Sequence, residues 1–330
     1  MADAEPLNFP EVRRLREYWD RRLTHVSSPP EEWVSDKLLL DALGLGLEQT
    51  LQFISSERPD FEGFRRWIVA TAGAPDRLTI ARYHAALDGT PPPPAIAARL
   101  AGIDAMPDVL DADALAHWEA QGYVILRGAI APEEAEAAAA LLWKTVGADP
   151  DDPATWYGPR NNGLMVQLFQ HPALEAARRS ARVHKAFAQL WGSSDLWPRI
   201  DRMSFNAPVL PHQNFGAPRL HWDASLVPPI PFATQGILYL TDTAADQGAF
   251  ELVPGFHHEL ADWLDSLGDA NPRTVDLSDR AVRVAAGAGD LIIWRHDLPH
   301  GATPNAATKP RLAQYVNFYS AEMGVQPKWR

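Results

Sequence analysis

Residues 289–315 read GDLIIWRHDLPHGATPNAATKPRLAQY. Gly289-Asp290 is a turn signal, and the run Leu291-Ile292-Ile293-Trp294 behind it is too short for an independent helix. A brief apolar run bounded by turn residues reads as a strand. Leu298-Pro299-His300-Gly301 follows, and Arg311 stands eleven residues after His300, opening a second strand over 312–319. A His where one strand ends and an Arg where the next begins would lie together at one end of a sheet. Arg offers a planar fork of donors that matches a carboxylate through two parallel hydrogen bonds.

Outward from that stretch, the second half of the chain keeps the same texture. Short runs at 202–205, 236–241, 249–253 and 281–285 are separated by Gly, Pro or Asp and predict further strands. Upstream, 113–121 predicts a helix, 122–127 a strand, and 132–143 an Ala-rich helix opened by Pro132 with Glu133 and Glu134 in its first turn. The first hundred residues repeat apolar side chains at helical spacing, as in Leu39, Leu40, Leu43 and Leu47, and then Phe61, Phe64, Trp67 and Ile68. Breaks fall at Pro29-Pro30, Pro59, Pro75 and the run Pro91–Pro94. Helices followed by many short strands predict an α+β chain with a β-sandwich or barrel in its C-terminal part.

His221-Trp222-Asp223 lies among those strands. In extended backbone, residues i and i+2 project to one side, so the imidazole and the carboxylate share a face. A second His from elsewhere, with His300 the candidate, completes a set of two His and one carboxylate. That set leaves open coordination positions and suits non-haem Fe(II) oxygenases.

Composition bounds the remaining possibilities. The net charge is −12 with no Lys/Arg-rich run, which disfavours binding to nucleic acid or an anionic membrane. There are no cysteines, so disulfides, thiolate metal sites and cysteine nucleophiles are excluded. The first residues lack the basic and apolar regions of a signal peptide, and no apolar run is long enough to span a bilayer. A cytoplasmic location is the resulting expectation. Twelve tryptophans suit a packed core and an apolar ligand pocket.

The ordered set Gly122–Gly128, His221-Trp222-Asp223, Gly248–His257, Gly289–Trp294, His300-Gly301, Asn305 and Arg311 resembles the phytanoyl-CoA dioxygenase-like family of 2-oxoglutarate oxygenases, over roughly residues 111–322. The resemblance implies a double-stranded β-helix (jelly-roll, cupin-like) core with buttressing helices. It also implies Fe(II) held by His221, Asp223 and His300, with 2-oxoglutarate as cosubstrate and O2 as oxidant. Arg311 would pair with the far carboxylate of 2-oxoglutarate, and no catalytic side chain is implied beyond the metal site. The expected reaction is hydroxylation of a C–H bond in a small-molecule metabolite, with release of succinate and CO2. Related halogenases lack the carboxylate ligand, so Asp223 favours oxygen transfer over halogenation.

Relatives place an amide side chain against the cosubstrate. Asn206 is the better candidate and Gln167 the second. Relatives also often carry Ser or Thr two residues after the distal His, where this chain has Ala302, and Thr303 would face elsewhere. Among the other histidines, His257, His258 and His296 read as turn, surface or ligand-orienting residues, and His212 as part of a Pro-rich loop at the entrance. Tyr239 and Tyr315 would face either the pocket or the helices. Residues 1–105 are expected to form a helical extension and 106–330 the oxygenase domain. The extension would serve as a brace or a homodimer surface, since its apolar faces must bury against something. A metal-binding cupin-type enzyme and a catalytically silent jelly-roll binding module are the competing readings.

Overall fold

The computed structural model describes residues 9–158, 164–211 and 220–329. Six helices open the chain: α1 (Leu15–Leu23), α2 (Trp33–Ala42), α3 (Leu47–Glu57), α4 (Phe61–Ala72), α5 (Arg77–Asp88) and α6 (Pro94–Asp104). There follow α7 (Ala112–Gln121), β1 (Tyr123–Leu126), α8 (Pro132–Val146), β2 (Met165–Val166), α9 (Pro172–Arg179), α10 (Ala181–Trp191), β3 (Leu196–Pro198) and β4 (Met203–Asn206). The rest is mainly strand: β5 (Thr234–Tyr239), β6 (Phe250–Leu252), α11 (Leu260–Leu267), β7 (Val282–Val284), β8 (Leu291–Arg295), β9 (His300–Ala302), β10 (Arg311–Tyr315) and β11 (Phe318–Ser320).

The expected mixture of helices with antiparallel sheet is present. A six-stranded sheet runs β1-β8-β5-β10-β4-β2, a three-stranded sheet runs β7-β6-β9, and β11 pairs with β3. Among the described residues all the strand pairings are antiparallel.

Period-two alternation explains why the first four residues of β8 are all apolar. Leu291 and Ile293 enter a core shared with Ala135, Ala138, Leu142 and Phe187 of the helices, while Ile292 and Trp294 enter a second core with Phe250, Leu252 and Val284 of the small sheet. The large sheet is therefore covered on both faces. Its β5 and β10 alternate the same way, with Leu238 and Leu312 toward the helices and Tyr239 and Ala313 toward the small sheet.

Asp290 fixes the entry to β8. Its carboxylate accepts from Gly128 N at 2.8 Å, Gly287 N at 2.9 Å and Arg127 Nη1 at 2.6 Å, joining the end of β1 to the turn before β8. Gly289 holds φ +82°, a conformation that side-chain-bearing residues resist.

The strand expected over 312–319 is in fact two strands in different sheets. Val316 N donates to Gly236 O, and the Asn317 carbonyl accepts from Arg199 N. The Asn317 amide oxygen accepts from the Thr234 hydroxyl at 3.1 Å. These bonds turn the chain away from β10, so that β11 can pair with β3.

Much of the apolar surface of the N-terminal helices is buried within the chain itself. Leu39, Leu43, Phe64, Ile68 and Tyr83 cluster with Trp197 of β3 and Tyr319 of β11. The Arg82 guanidinium lies 4.1 Å from the Trp197 ring centre and 2.6 Å from Asp195. The break at Pro91–Pro94 separates α5 from α6. Beyond it Asp104 of α6 joins the neighbourhood of α10, accepting from Lys185 Nζ at 3.1 Å and Ser194 Oγ at 2.8 Å.

One side chain couples the two main sheets. Tyr239 Oη donates to Val284 O at 3.1 Å and accepts from Phe250 N at 2.9 Å. Burial pushes its phenol up to about 12, so it remains a donor at any physiological pH. Tyr239→Phe is expected to lower unfolding free energy by about 1–3 kcal/mol, because two buried backbone groups lose their partner. Urea denaturation followed by tryptophan fluorescence measures this, and a change near zero would show that the hydroxyl does not couple the sheets.

Candidate metal centre and active site

His221 and His300 face each other across a two-residue bridge rather than a regular strand pair. His221 N donates to His300 O at 2.9 Å, and His300 N donates to His221 O at 3.0 Å. The imidazole centres lie 4.8 Å apart. Although 221–223 is not part of a regular strand, the expected alternation holds. Trp222 is buried in the core between the sheets, with Nε1 donating to Asp297 O at 3.0 Å, while the flanking His221 and Asp223 point away from that core.

The three candidate ligands converge. Asp223 Oδ1 lies 3.6 Å from His221 Nε2, and Asp223 Oδ2 lies 3.4 Å from His300 Nε2. One donor atom from each residue falls within 4.8 Å of the others. The buried His300 presents Nδ1 to Leu298 O at 3.0 Å, which orients the ring and leaves Nε2 facing Asp223. Gln235 Nε2 donates to Asp223 Oδ2 at 2.7 Å. Burial alone would raise the Asp223 carboxyl. The hydrogen bond and charge of His300, the charge of His221 and the Gln235 amide outweigh it and hold the group well below the usual carboxylate range.

The inner face of the large sheet carries the remaining polar candidates. Leu312 faces the helices, so Arg311 and Ala313 face inward; Met203 and Phe205 face the helices, so Ser204 and Asn206 face inward. Arg311 is 1% exposed, yet among the described residues it has no carboxylate partner. Its Nη2 donates to Ser204 Oγ at 2.7 Å, and its Nε has no hydrogen-bond partner.

Asn206 lies opposite Arg311 in the β10–β4 register. Its amide nitrogen donates to Gly248 O at 3.3 Å and Thr303 O at 3.0 Å, while Oδ1 has no partner. Gln167 follows Val166, which faces the helices, and neither atom of its buried amide has a partner. Thr303 is turned away, its hydroxyl donating to Ala249 O at 2.9 Å. The hydroxyl beside Arg311 is instead that of Ser204, which lies on a different strand and carries no sequence motif.

Asn305 organises the loop between His300 and Arg311. It donates to Asn206 O at 2.8 Å and Lys309 O at 2.9 Å, and it accepts from Ala307 N at 3.0 Å.

The other histidines have different surroundings. The rings of His257 and His258 both direct Nε2 at Glu119 O, at 3.1 and 2.9 Å, latching the end of α7. His296 Nε2 lies 2.5 Å from Pro231 O, and burial pushes its pKa down. His212 lies outside the described residues. Trp294 packs beside the metal-ligand candidate His300 at 5.2 Å and Phe250 at 4.2 Å, whereas Trp156 and Trp197 belong to the helix-covered cores. Tyr315, whose pKa burial raises, begins the turn out of β10. A cavity of about 280 Å³ adjoins Asp223 and His296.

The phytanoyl-CoA dioxygenase (PhyH) family matches residues 105–313. A curated Dictyostelium discoideum protein named "Putative phytanoyl-CoA dioxygenase" is 20% identical over 256 residues, covering 61% of this chain and 73% of its own length. Among solved structures, the chain is similar to the non-heme alpha-ketoglutarate-dependent carbocyclase SnoK from nogalamycin biosynthesis, at TM-score 0.47 and 19% identity, over 68% of this chain and 88% of that one. It is also similar to HygX from Streptomyces hygroscopicus, solved with nickel and 2-oxoglutarate, at TM-score 0.48 and 16% identity, over 65% and 88% of the two chains. With more than half its length matched, and with the matched region holding the converging His, Asp and His side chains, the chain belongs to the phytanoyl-CoA dioxygenase family.

Proposed function

We propose that this chain is an Fe(II)- and 2-oxoglutarate-dependent dioxygenase that hydroxylates a small molecule, with iron held by His221, Asp223 and His300. The donor set fits the ion: two imidazole nitrogens and one carboxylate within 4.8 Å leave room for further ligands. The observation that carries the cosubstrate assignment is Arg311. A buried guanidinium with no anionic partner among the described residues is costly unless a ligand supplies one. A metal-binding cupin-type enzyme or a silent binding module has no use for such a group.

Bound iron with 2-oxoglutarate supplies the oxidising chemistry, in which O2 is consumed and succinate and CO2 are released as a substrate C–H bond is hydroxylated. The side chains of the protein position everything else. Leu298 O fixes the His300 ring and Gln235 holds one Asp223 oxygen. Arg311 receives the far carboxylate of the keto acid, with the Ser204 hydroxyl beside it supplying the help that Ala302 cannot. Both amides keep unpartnered atoms for the cosubstrate: both atoms of Gln167, and Oδ1 of Asn206, whose nitrogen is spent on two backbone carbonyls. Trp294 and Phe250 keep water from the His300 side.

In this reading the six- and three-stranded sheets are the two faces of a double-stranded β-helix. The oxygenase unit begins near residue 106, and the helices before it form an accessory layer.

The direct test is succinate release from 2-oxoglutarate with Fe(II) and ascorbate. Absence of both 2-oxoglutarate affinity and turnover, coupled or uncoupled, overturns the reading. Asp223→Ala is expected to abolish binding of Fe(II), or of Mn(II) as its redox-stable surrogate, in anaerobic calorimetry; retained stoichiometric binding would remove Asp223 from the ligand set. Arg311→Leu is expected to weaken 2-oxoglutarate on the order of a hundredfold, equivalent to about 3 kcal/mol for a charge-assisted pair. Arg311→Lys should recover part of this, since the charge returns without the fork. Unchanged affinity in both variants would place the cosubstrate elsewhere.

A further inference from the structure

The cavity beside Asp223 is not built by the strands alone. Trp33, Leu40 and Leu47 from the N-terminal helices form one wall, Met323 and Trp329 from the C-terminal segment another, and Ile200 part of the floor. Trp33 is 39% exposed and Trp329 68% exposed, so two large rings stand at its edge only partly covered. At about 280 Å³ the cavity lies near the small end of ligand sites, which run from roughly 300 to 1,000 Å³.

The charges on its lining are Arg22, Lys37 and Arg199 against Asp36, Asp41 and Asp223. Most are already committed. Asp36 lies 3.3 Å from Arg22 and 2.8 Å from Arg21. Asp41 accepts from Ile200 N at 2.7 Å and Tyr319 Oη at 2.6 Å, and its charge, with that of Asp201, favours the cationic form of Arg199. Asp223 belongs to the metal centre.

Lys37 is left over. Among the described residues its ammonium has neither a carboxylate within 4.0 Å nor a hydrogen-bond acceptor. Burial and the neighbouring Arg199 bring it down to about 8 against the opposing charge of Asp41, which still leaves it mainly charged at neutral pH. An ammonium on this lining with no bonded counter-ion among the described residues calls for a singly charged anion; a phosphate ester would bring two negative charges.

We propose that this cavity is the substrate chamber of the oxygenase, and that Lys37 selects a small monocarboxylate whose apolar body lies against Leu40, Leu47 and the two rim tryptophans. The assignment rests on the oxygenase reading, because it is Asp223 that connects the chamber to the metal centre. On this view the N-terminal helices determine specificity as well as bracing the fold.

The test uses full-length protein without added metal, so that it is independent of turnover. 4-Phenylbutyrate and octanoate are titrated by calorimetry and by tryptophan quenching, with 4-phenylbutanol and octanol as uncharged counterparts. The acids are expected to bind at least tenfold more tightly than the alcohols. Lys37→Met should erase that preference and Lys37→Arg should restore it, with both variants checked for an unchanged thermal midpoint. Equal binding of acids and alcohols, a preference that survives Lys37→Met, or failure of every probe to bind overturns the proposal. Acid selectivity in a protein that releases no succinate would retain the chamber and reject the oxygenase; succinate release without acid selectivity would do the reverse.

Discussion

Two backbone hydrogen bonds between His221 and His300 set the terms for the rest of the site. They join a segment with no regular strand structure to the first residue of β9, and so place two imidazoles 4.8 Å apart with Asp223 between them. His300 is in turn fixed by its place opposite Leu252 in the small sheet, and that sheet is fixed to the large one by the Tyr239 hydroxyl. The position of the candidate ligands thus depends on sheet-to-sheet packing, and the packing depends on a large sheet whose central strands bury apolar side chains on both faces. Core and chemistry share one scaffold here, as expected where a site is held on rigid elements.

A similar economy governs the route from His300 to Arg311. The intervening loop could close in many ways, but Asn305 pins it to β4 through the Asn206 carbonyl and to itself through Lys309 and Ala307. Arg311 is thereby delivered to the inner face of β10 at a fixed offset from the metal-ligand candidates. The orphaned guanidinium is a local cost that packing elsewhere supports, and such costs concentrate where a ligand is meant to bind.

Much of this was legible in the residues. The run Leu291–Trp294 announced a strand, whereas its burial on both faces emerges only from the two cores that it separates. His221-Trp222-Asp223 announced its alternation, and that alternation survived even though the segment is not a strand by hydrogen bonding. The eleven-residue step from His300 to Arg311 was visible as a spacing, whereas the Asn305 contacts that give it geometric meaning were not. Ser204 was illegible for a clear reason: a lone serine on a short strand has no pattern, and its role arises only from its place in the sheet beside β10. Gln167 and Asn206 could be named as amides, but only packing separates the partly committed one from the open one. The split of 312–319 into β10 and β11 was hidden because Val316-Asn317 continues an acceptable strand composition while its hydrogen bonds lead elsewhere.

The cavity wall also has a kinetic side. Its residues come from both ends of the chain, with Trp33 and Leu47 on one side and Met323 and Trp329 on the other. Contacts between segments so distant in sequence bear the largest loop-closure entropy and form late in folding. By the same reasoning the partly exposed Trp33 and Trp329 belong to the less protected part of the wall, whereas Leu40 and Leu45 are anchored in buried core. The enclosure beside Asp223 therefore closes late in folding and opens first at its tryptophan rim, while the buried leucines and the strands beneath stay intact.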